Sequence, residues 1–437
     1  MIRQILPISA LLLGSAFLLF AGGINGLILP VRGASEGFSA VSLGLLGTGW
    51  AIGYVSGCLY TARLVGRVGH IRAFSVMASF AGVAILAQLL LIQPHSWIVL
   101  RAFQGFCFAG AAMIVESWLS ERASPENRGK IFGIYTMVNL GASTAGQLTL
   151  TLGNTNGFLY FVLGAMFYML AVLPTAMSSS ASPKPLASVS LDLKLLWRNS
   201  PVAVFGVFMV GISNASFGTL AAVYGDRIGL SIASIALFTS IPILAGALAQ
   251  IPVGIMSDRV DRRKVLIGVA VVALAADAAF ILLRPEAVPA NLALAAILGA
   301  SIYAMYPVII AHANDSATGN YIQISGGLLM VFGFGSIIGP TVAGFVMTAA
   351  GTGGLFRVTG TAHVLLILYA GYRITRRKAV AREDKGDFKA STIARSATPQ
   401  TVVMSAPDVD YLEYTEASGQ TASAGEQTKD PRDHAAP

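Results

Sequence analysis

Residues 37–46 read GFSAVSLGLL, and residues 229–238 read GLSIASIALF, 192 positions further along the chain. Four of the ten aligned pairs are identical, and the other six are apolar or small in both stretches. At the same offset, Arg67-Val68 aligns with Arg259-Val260. The match predicts a chain built from two halves of similar structure.

The composition places both halves in a membrane. The chain has 437 residues, of which 55% are hydrophobic and 11% charged, and its mean hydropathy is +0.70. A soluble domain normally carries about 25% charged residues, whereas a hydrocarbon solvent penalises every ionised side chain. The net charge of +8 is scattered over short loops, which argues against binding to nucleic acid.

The residue types that usually bind metals or cofactors, or carry out catalysis, predict neither a metal site nor a cofactor site. Cys58 and Cys107 both lie in apolar stretches, which excludes a disulfide scaffold or a CxxC site. The five histidines lack the spacing of metal ligands. No paired carboxylates or HExxH motif support a membrane-embedded enzyme, and no Walker A loop supports the direct use of ATP.

The number of helices follows from hydropathy, because a membrane-crossing helix needs about 20 apolar residues. Twelve stretches meet this requirement: residues 6–31, 40–61, 73–92, 97–118, 131–153, 157–177, 201–224, 233–256, 265–284, 290–312, 321–347 and 356–375. We therefore expect an all-α membrane protein with twelve transmembrane helices in two pseudo-symmetric six-helix halves. The first half is expected at residues 1–177 and the second at residues 200–376. The first span is too long for a cleaved signal peptide.

Two segments lie outside the spans. Residues 178–199 form a Ser- and Pro-rich linker, and its end, Leu191 to Trp197, is either a short amphipathic helix at the membrane surface or plain linker. Residues 377–437 are polar with almost no apolar periodicity, so we expect a disordered cytoplasmic tail.

The basic residues predict the orientation. One set of loops and the C-terminal flank hold Arg63, Arg67, Arg72, Arg122, Arg128, Lys130, Lys184, Lys194, Arg198, Arg259, Arg262, Arg263, Lys264, Arg373, Arg376, Arg377 and Lys378. The opposite loops hold only Arg32, Arg227, Arg284 and Arg357. By the positive-inside rule, both termini are expected in the cytoplasm, with the protein in the bacterial plasma (inner) membrane.

The loop between spans 8 and 9, residues 254–264, reads GIMSDRVDRRK. It resembles the GxxxDRxGR[KR] signature of the major facilitator superfamily, with Asp261 in place of the second glycine. The resemblance implies the twelve-helix fold of that superfamily and a gating loop at Gly254, Asp258, Arg259, Arg262 and Arg263. Contacts between the aspartate and the arginines would latch one closed state. The alternative is a positive-inside loop with incidental charges.

The equivalent loop of the first half keeps Arg67, Gly69 and Arg72 but has Gly66 where the signature has aspartate. The acidic partner of the latch is absent there. We therefore expect the two halves to be gated differently.

Span 4 contains Arg101 and Gln104, which resemble the family's RxxQG element and its coupling arginine. An arginine well inside a span is costly and usually functional, although Arg101 could instead extend to the outer interface. Glu116 lies fifteen residues later, about 22 Å along a helix. It is either a gate partner or an interface residue.

Three further polar residues within spans are candidates. Asn25 and Asn214 belong to spans 1 and 7, which line the cavity in this fold, so they could contact the substrate or form helix-packing hydrogen bonds. Asp277 in span 9 could titrate or pair laterally with a neighbouring helix.

A narrower resemblance is to a bacterial branch typified by YcaD, carried by residues 29–32, 36–39, 116–119 and 127–129. Together these resemblances imply a secondary transporter that moves a small solute by alternating access as a monomer. A proton gradient is a candidate driving force, with Arg101, Gln104, Glu116 or Asp277 as coupling residues. The alternative is a transporter-like membrane sensor or assembly partner without transport.

Overall fold

The structure is a computed structural model that describes residues 8–123, 127–176, 186, 191–317, 321–389 and 394–406. Its long helices are α1 (Ser9–Ser35), α2 (Ala40–Val68), α3 (His70–Leu90), α4 (Pro94–Glu121), α5 (Arg128–Thr149), α6 (Leu159–Ala176), α7 (Pro201–Arg227), α8 (Ile232–Arg259), α9 (Arg262–Leu283), α10 (Val288–Asn314), α11 (Tyr321–Ala350) and α12 (Gly354–Arg376). A short helix, Leu193–Asn199, precedes α7, and α13 (Pro399–Ser405) lies in the tail.

Eleven of the described helices are long and apolar enough to cross a membrane. The twelfth span predicted from the sequence is α5, which carries Asn139, Ser143 and Gln147. These side chains line a central cavity, so the helix need not be apolar on that side.

The two halves use the same helix pairings. In the first half, α1 packs on α5 and α6, α2 packs on α4, and α3 packs on α4 and α6. The second half repeats every one of these pairs six helices later: α7 packs on α11 and α12, α8 on α10, and α9 on α10 and α12. The duplication inferred from the 192-residue offset is therefore visible in the packing.

The repeated stretch is a turn followed by a helix start. Gly37 and Gly229 adopt positive φ angles of 78° and 80°, a conformation that glycine reaches without steric cost. Two residues later Ser39 and Ser231 cap α2 and α8, each with its side-chain oxygen accepting an N–H three residues on, at 3.0 and 3.2 Å. The identical residues of the repeat thus serve the same local structure.

Small residues allow the helices to approach closely. A Cβ on Gly53 would overlap the carbonyl oxygen of Ala102, where α2 crosses α4. In the second half a Cβ on Gly335 would overlap the carbonyl oxygen of Phe208, where α11 crosses α7. Since the lipid gives helices no hydrophobic reason to associate, this close backbone packing holds each half together.

We call the end of the bundle with the α2–α3, α4–α5 and α8–α9 loops the basic face, and the other end the opposite face. The halves meet directly towards the opposite face. There Thr48 donates to the carbonyl oxygen of Ile337 at 2.6 Å, and Ser240 donates to Gln147 at 2.8 Å. These contacts join α2 to α11 and α5 to α8 near the ends that belong to the opposite face.

The linker and the tail contain structure. Of the two readings of the linker end, the helical one agrees with the structure: Leu193–Asn199 is a helix, and Leu196 packs against Gly327 of α11. The tail differs from the prediction of disorder, because residues 394–406 are helical in part and largely buried between the halves. Residues 407–437 lie outside the described residues.

Candidate functional site

A chamber lies between the two halves. Helices α1, α4, α5 and α7 supply most of its wall, with further residues from α2, α8, α10 and the tail. Its polar lining comprises Arg101, Glu116, Tyr135, Thr136, Asn139, Ser143, Gln147, Thr219, Thr239, Tyr303, Arg395 and Ser396. The chamber therefore combines positive, negative and hydroxyl groups on an otherwise apolar wall.

Arg101 lines this chamber and does not extend to the outer interface. Its side chain is buried, and its guanidinium carbon lies 4.3 Å from the centre of the Trp50 ring. It also donates to Gln104 at 3.4 Å. Within the part of the chain that the structure describes, no carboxylate lies within ion-pairing distance of Arg101, so an aromatic face and a neutral amide stabilise its charge.

Gln104 is fully buried, and it is Arg101's neighbour rather than part of the chamber wall. Its amide nitrogen lies 3.5 Å from the carbonyl oxygen of Ala81 on α3. Gln104 can therefore orient the guanidinium from behind, while Arg101 faces the cavity.

Glu116 lines the chamber nearer the basic face and is 1% exposed. Its carboxylate accepts hydrogen bonds from Tyr135 at 2.9 Å, from Thr401 at 2.9 Å and from the Thr398 hydroxyl. Of the two roles predicted for Glu116, the structure places it inside the cavity and not at the membrane interface. Its three donors come from α5 and from the tail.

The α8–α9 loop is the most strongly ion-paired part of the described molecule. Arg262 is 1% exposed and donates to Asp315 at 2.7 Å and to Asp258 at 3.0 Å, so it bridges the ends of α8 and α10. It also donates to Ser257 at 2.8 Å. Gly254 lies against Phe388 of the tail.

A second set of bonds surrounds Asp261, the residue that departs from the signature. Its side chain caps α9 by accepting the N–H of Arg263 at 3.0 Å and also pairs with that guanidinium at 2.8 Å. Arg263 in turn donates to the carbonyl oxygen of Arg377 at 2.8 Å. Burial alone would raise the pKa of Asp261, but these bonds outweigh it and hold the pKa below its usual 3.8. Arg259 is exposed.

The α2–α3 loop contains none of these ion pairs in the residues that the structure describes. Arg67 and Gly66 are exposed, and Gly69 adopts a positive φ of 84°. At the offset of 192, His70 stands where Arg262 does; it is buried and packs against Trp118, with the ring centres 6.0 Å apart and the ring planes tilted by 30°. The two loops therefore differ in their ion pairs, and different gating of the two halves stays a prediction.

Three candidates lie away from the chamber. Asn25 and Asn214, predicted either to contact the substrate or to form helix-packing hydrogen bonds, are buried and are not among the residues of its wall. Asp277 pairs laterally with His363 at 2.7 Å and accepts from Thr359 at 2.7 Å, and His363 reaches Ser213 of α7 at 2.9 Å.

Several residues in or beside the chamber were not predicted from the sequence. Tyr135 and Trp50 contact the two charged groups, and Arg395 of the tail belongs to the wall. Thr398 and Thr401 of the tail donate to Glu116. Only α5 carried a usable signal, since its low hydropathy already sets it apart from the other spans. The tail residues offered none, because their contacts with Glu116 depend on tertiary folding.

With this geometry established, comparison with known proteins defines the class. The family model for the Major Facilitator Superfamily matches residues 11–238 and 203–408, and the chain belongs to that family. It is a multi-pass membrane transporter and not an enzyme. It is 29% identical over 350 residues to proteins described as uncharacterized MFS-type transporter YcaD from Escherichia coli O139:H28 and Shigella sonnei, a match covering 78% of this chain and 89% of each relative.

Solved structures share the fold at low sequence identity. The nucleoside transporter NupG matches with a TM-score of 0.70 and 15% identity, covering 85% of this chain and 100% of that one. A bacterial homologue of the human lysosomal transporter Spinster, in an inward-facing and occupied conformation, gives a TM-score of 0.69, 15% identity, and coverage of 87% and 97%. The twelve-helix, two-half architecture expected from the sequence is thereby confirmed.

Proposed function

We propose that this transporter is a secondary carrier of a small organic anion, working as a monomer by alternating access in the bacterial inner membrane. The observation that carries the proposal is Arg101: a buried guanidinium on the chamber wall without a carboxylate partner among the described residues. A buried charge without a partner is costly. An anionic solute would supply the missing charge, while Trp50 and Phe108 offer apolar surface beside it.

The arrangement of the halves supports a conformation in which the two halves are separated towards the basic face. Direct contacts between the halves at Thr48 and Gln147 lie towards the opposite face. By the positive-inside rule the basic face is cytoplasmic, so both termini lie inside and the chamber faces inward. Rocking of the two halves around the chamber would then expose the same residues to the other side.

Glu116 is the proposed proton-binding group. It is the one carboxylate on the described chamber wall, on the same helix as Arg101. Asp277 lies outside the chamber and is paired with His363, which fits a role in holding α9 to α12 better than one in coupling. Proton binding to Glu116 would remove one negative charge from the chamber wall and would leave the contacts of Arg101 unchanged.

The test is a thermal-shift screen of the purified protein against small carboxylates, sugar phosphates, nucleosides and neutral sugars. A ligand of the native state raises the melting temperature. We expect hits among the anions, and we expect Arg101→Ala to weaken the binding of a hit by about 30-fold or more. Arg227→Ala removes an exposed arginine on the opposite face and should leave the binding unchanged.

Hits confined to neutral sugars or nucleosides, unchanged in Arg101→Ala, would overturn the anion proposal. Coupling is tested separately with the anion hit in proteoliposomes loaded with a pH-sensitive dye. We expect solute-driven proton movement in the wild type and none in Glu116→Gln. Binding without any flux in the wild type would favour the sensor alternative.

A further inference from the structure

The tail first lies along the α8–α9 loop. Lys385 donates to the carbonyl oxygen of Val260 at 2.6 Å, the Gly386 N–H donates to Asp315 at 3.3 Å, and the Phe388 N–H donates to Asp258 at 3.1 Å. The Phe388 ring fills the space beside Gly254. Residues 385–388 therefore use the same acidic groups that Arg262 bridges, and they direct the chain towards the gap between the halves.

Residues 394–406, which we call the plug, enter that gap at the mouth of the chamber. Helix α13 contacts α4 and α5 of the first half and α11 of the second. Thr398 and Thr401 donate to Glu116, while Tyr54 donates to the carbonyl oxygen of Ala397 at 3.2 Å. Both halves thus contact the plug, and the first half supplies these hydrogen bonds.

The composition of the plug suits a buried position. Residues 396–406 read SATPQTVVMSA and carry no ionisable side chain, so their transfer out of water incurs no charge penalty. Thr398 provides a capping box for α13, which satisfies backbone N–H groups at its start. Val403 and Met404 are each only 2% exposed. Arg395 precedes this neutral run and reaches the chamber, where it donates to Thr219 at 3.5 Å.

We propose that the mouth of the chamber is a binding site for the chain's own segment Ala394–Ala406, which competes with the solute for access to Glu116 and Arg101. The plug occupies the route from the basic face into the chamber and uses the hydrogen-bonding capacity of Glu116. Solute entry from that side requires the plug to leave. The inference rests on the inward-facing chamber proposed above, but its occupant is a segment of known sequence.

The experiment measures access to the chamber and does not require the substrate. Ser143 lines the chamber, so Ser143→Cys in a background where Cys58 and Cys107 are replaced by serine reports how fast N-ethylmaleimide enters. We compare the full chain with a chain ending at Lys389, which keeps the contacts of residues 385–388. Removing the plug should speed labelling at least about tenfold, because two hydroxyl bonds to a carboxylate are lost with the rest of its contacts.

Three controls make the result decisive. Thr151→Cys, an exposed site at the opposite face, should label equally fast in both chains. A synthetic peptide of residues 394–406 added to the shortened chain should restore slow labelling, which a misfolded protein would not show. The same peptide with alanine at both threonines should protect far less.

In the full chain, Thr398→Ala with Thr401→Ala should accelerate labelling of the Ser143→Cys reporter, while Thr151→Ala with Thr361→Ala, two exposed threonines, should not. Equal labelling of the full and shortened chains, or a shortened chain that the peptide fails to protect, would overturn the plug. Neither outcome would contradict the anion proposal, because that proposal is tested separately by ligand binding.

Discussion

The α2–α3 loop and the α8–α9 loop occupy equivalent positions in the two halves, yet they are built differently. In the second half Arg262 bridges Asp258 and Asp315 while almost fully buried. In the first half the matching positions hold His70 and Gly66, and the C-cap residue of α4 is Arg122, where α10 has Asp315. One loop is held by ion pairs and the other by the packing of His70 on Trp118.

The comparison teaches that a duplicated fold can keep its helix packing while the loops between its helices diverge. The turn and capping residues of the repeat are retained because every half needs them to begin its second helix. The charged residues of the loops are under no such local constraint. The second-half loop is also the one that holds the tail, through Asp258 and Asp315.

The largest difference in stability between equivalent variants of the two loops is expected between Arg262→Gln and His70→Gln. Losing the guanidinium leaves Asp315, whose side chain is 3% exposed, as a buried carboxylate without its cation, which costs about 3–5 kcal/mol. His70→Gln removes no ion pair and should cost about 1 kcal/mol or less. Thermal unfolding of the two variants in the same detergent measures the difference. Similar melting temperatures for both would mean that the ion pairs do not distinguish the loops.

A smaller effect is expected from Asp261→Ala. This variant loses the cap of α9 and the pair with Arg263, at a cost of about 1–2 kcal/mol near pH 7. Because the pKa of Asp261 is lowered, the contribution of its charge is present above pH 3.8 and is lost as the pH falls through that lowered pKa. The difference in the free energy of unfolding between Asp261→Ala and the wild type should therefore be smaller at pH 3 than at pH 7. A difference that grows as the pH falls would contradict a stabilising role for the Asp261 charge.

The smallest effects on stability are expected at Asp258, the aspartate of the superfamily signature, and at Gly66, its counterpart in the first half. Asp258→Asn removes an acid whose side chain is 40% exposed, so its pair with Arg262 contributes about 0.5 kcal/mol. Gly66→Asp installs the missing acid at an exposed position where a new Cβ would have no neighbouring atom within 4 Å, and it should change stability by about 0.5 kcal/mol at most. A loss of several kcal/mol from either variant would show that the Asp258 position is structurally decisive.

Much of the fold could be predicted because its determinants are local. A run of about 20 apolar residues forms a membrane helix wherever it lies, and Gly37 with Ser39 encodes the same turn and cap as Gly229 with Ser231. The 192-residue repeat and the basic loops then gave the number of halves and the expected orientation. Arg101 and Glu116 were also found from sequence, since charged groups inside apolar spans stand out.

The features that could not be predicted depend on contacts between residues that are far apart in the sequence. Asn25 and Asn214 are as polar as the chamber residues, yet they are buried outside the chamber wall, and their polarity alone does not reveal this. Asp277 finds His363 86 positions later, and Glu116 finds Thr398 282 positions later. The sequence by itself determined a twelve-helix transporter with unequal loops, because hydropathy, caps and charges act locally. Only the tertiary structure decided that a polar, weakly periodic tail fills the mouth of its chamber, because that segment's hydrogen-bonding partners belong to helices of both halves.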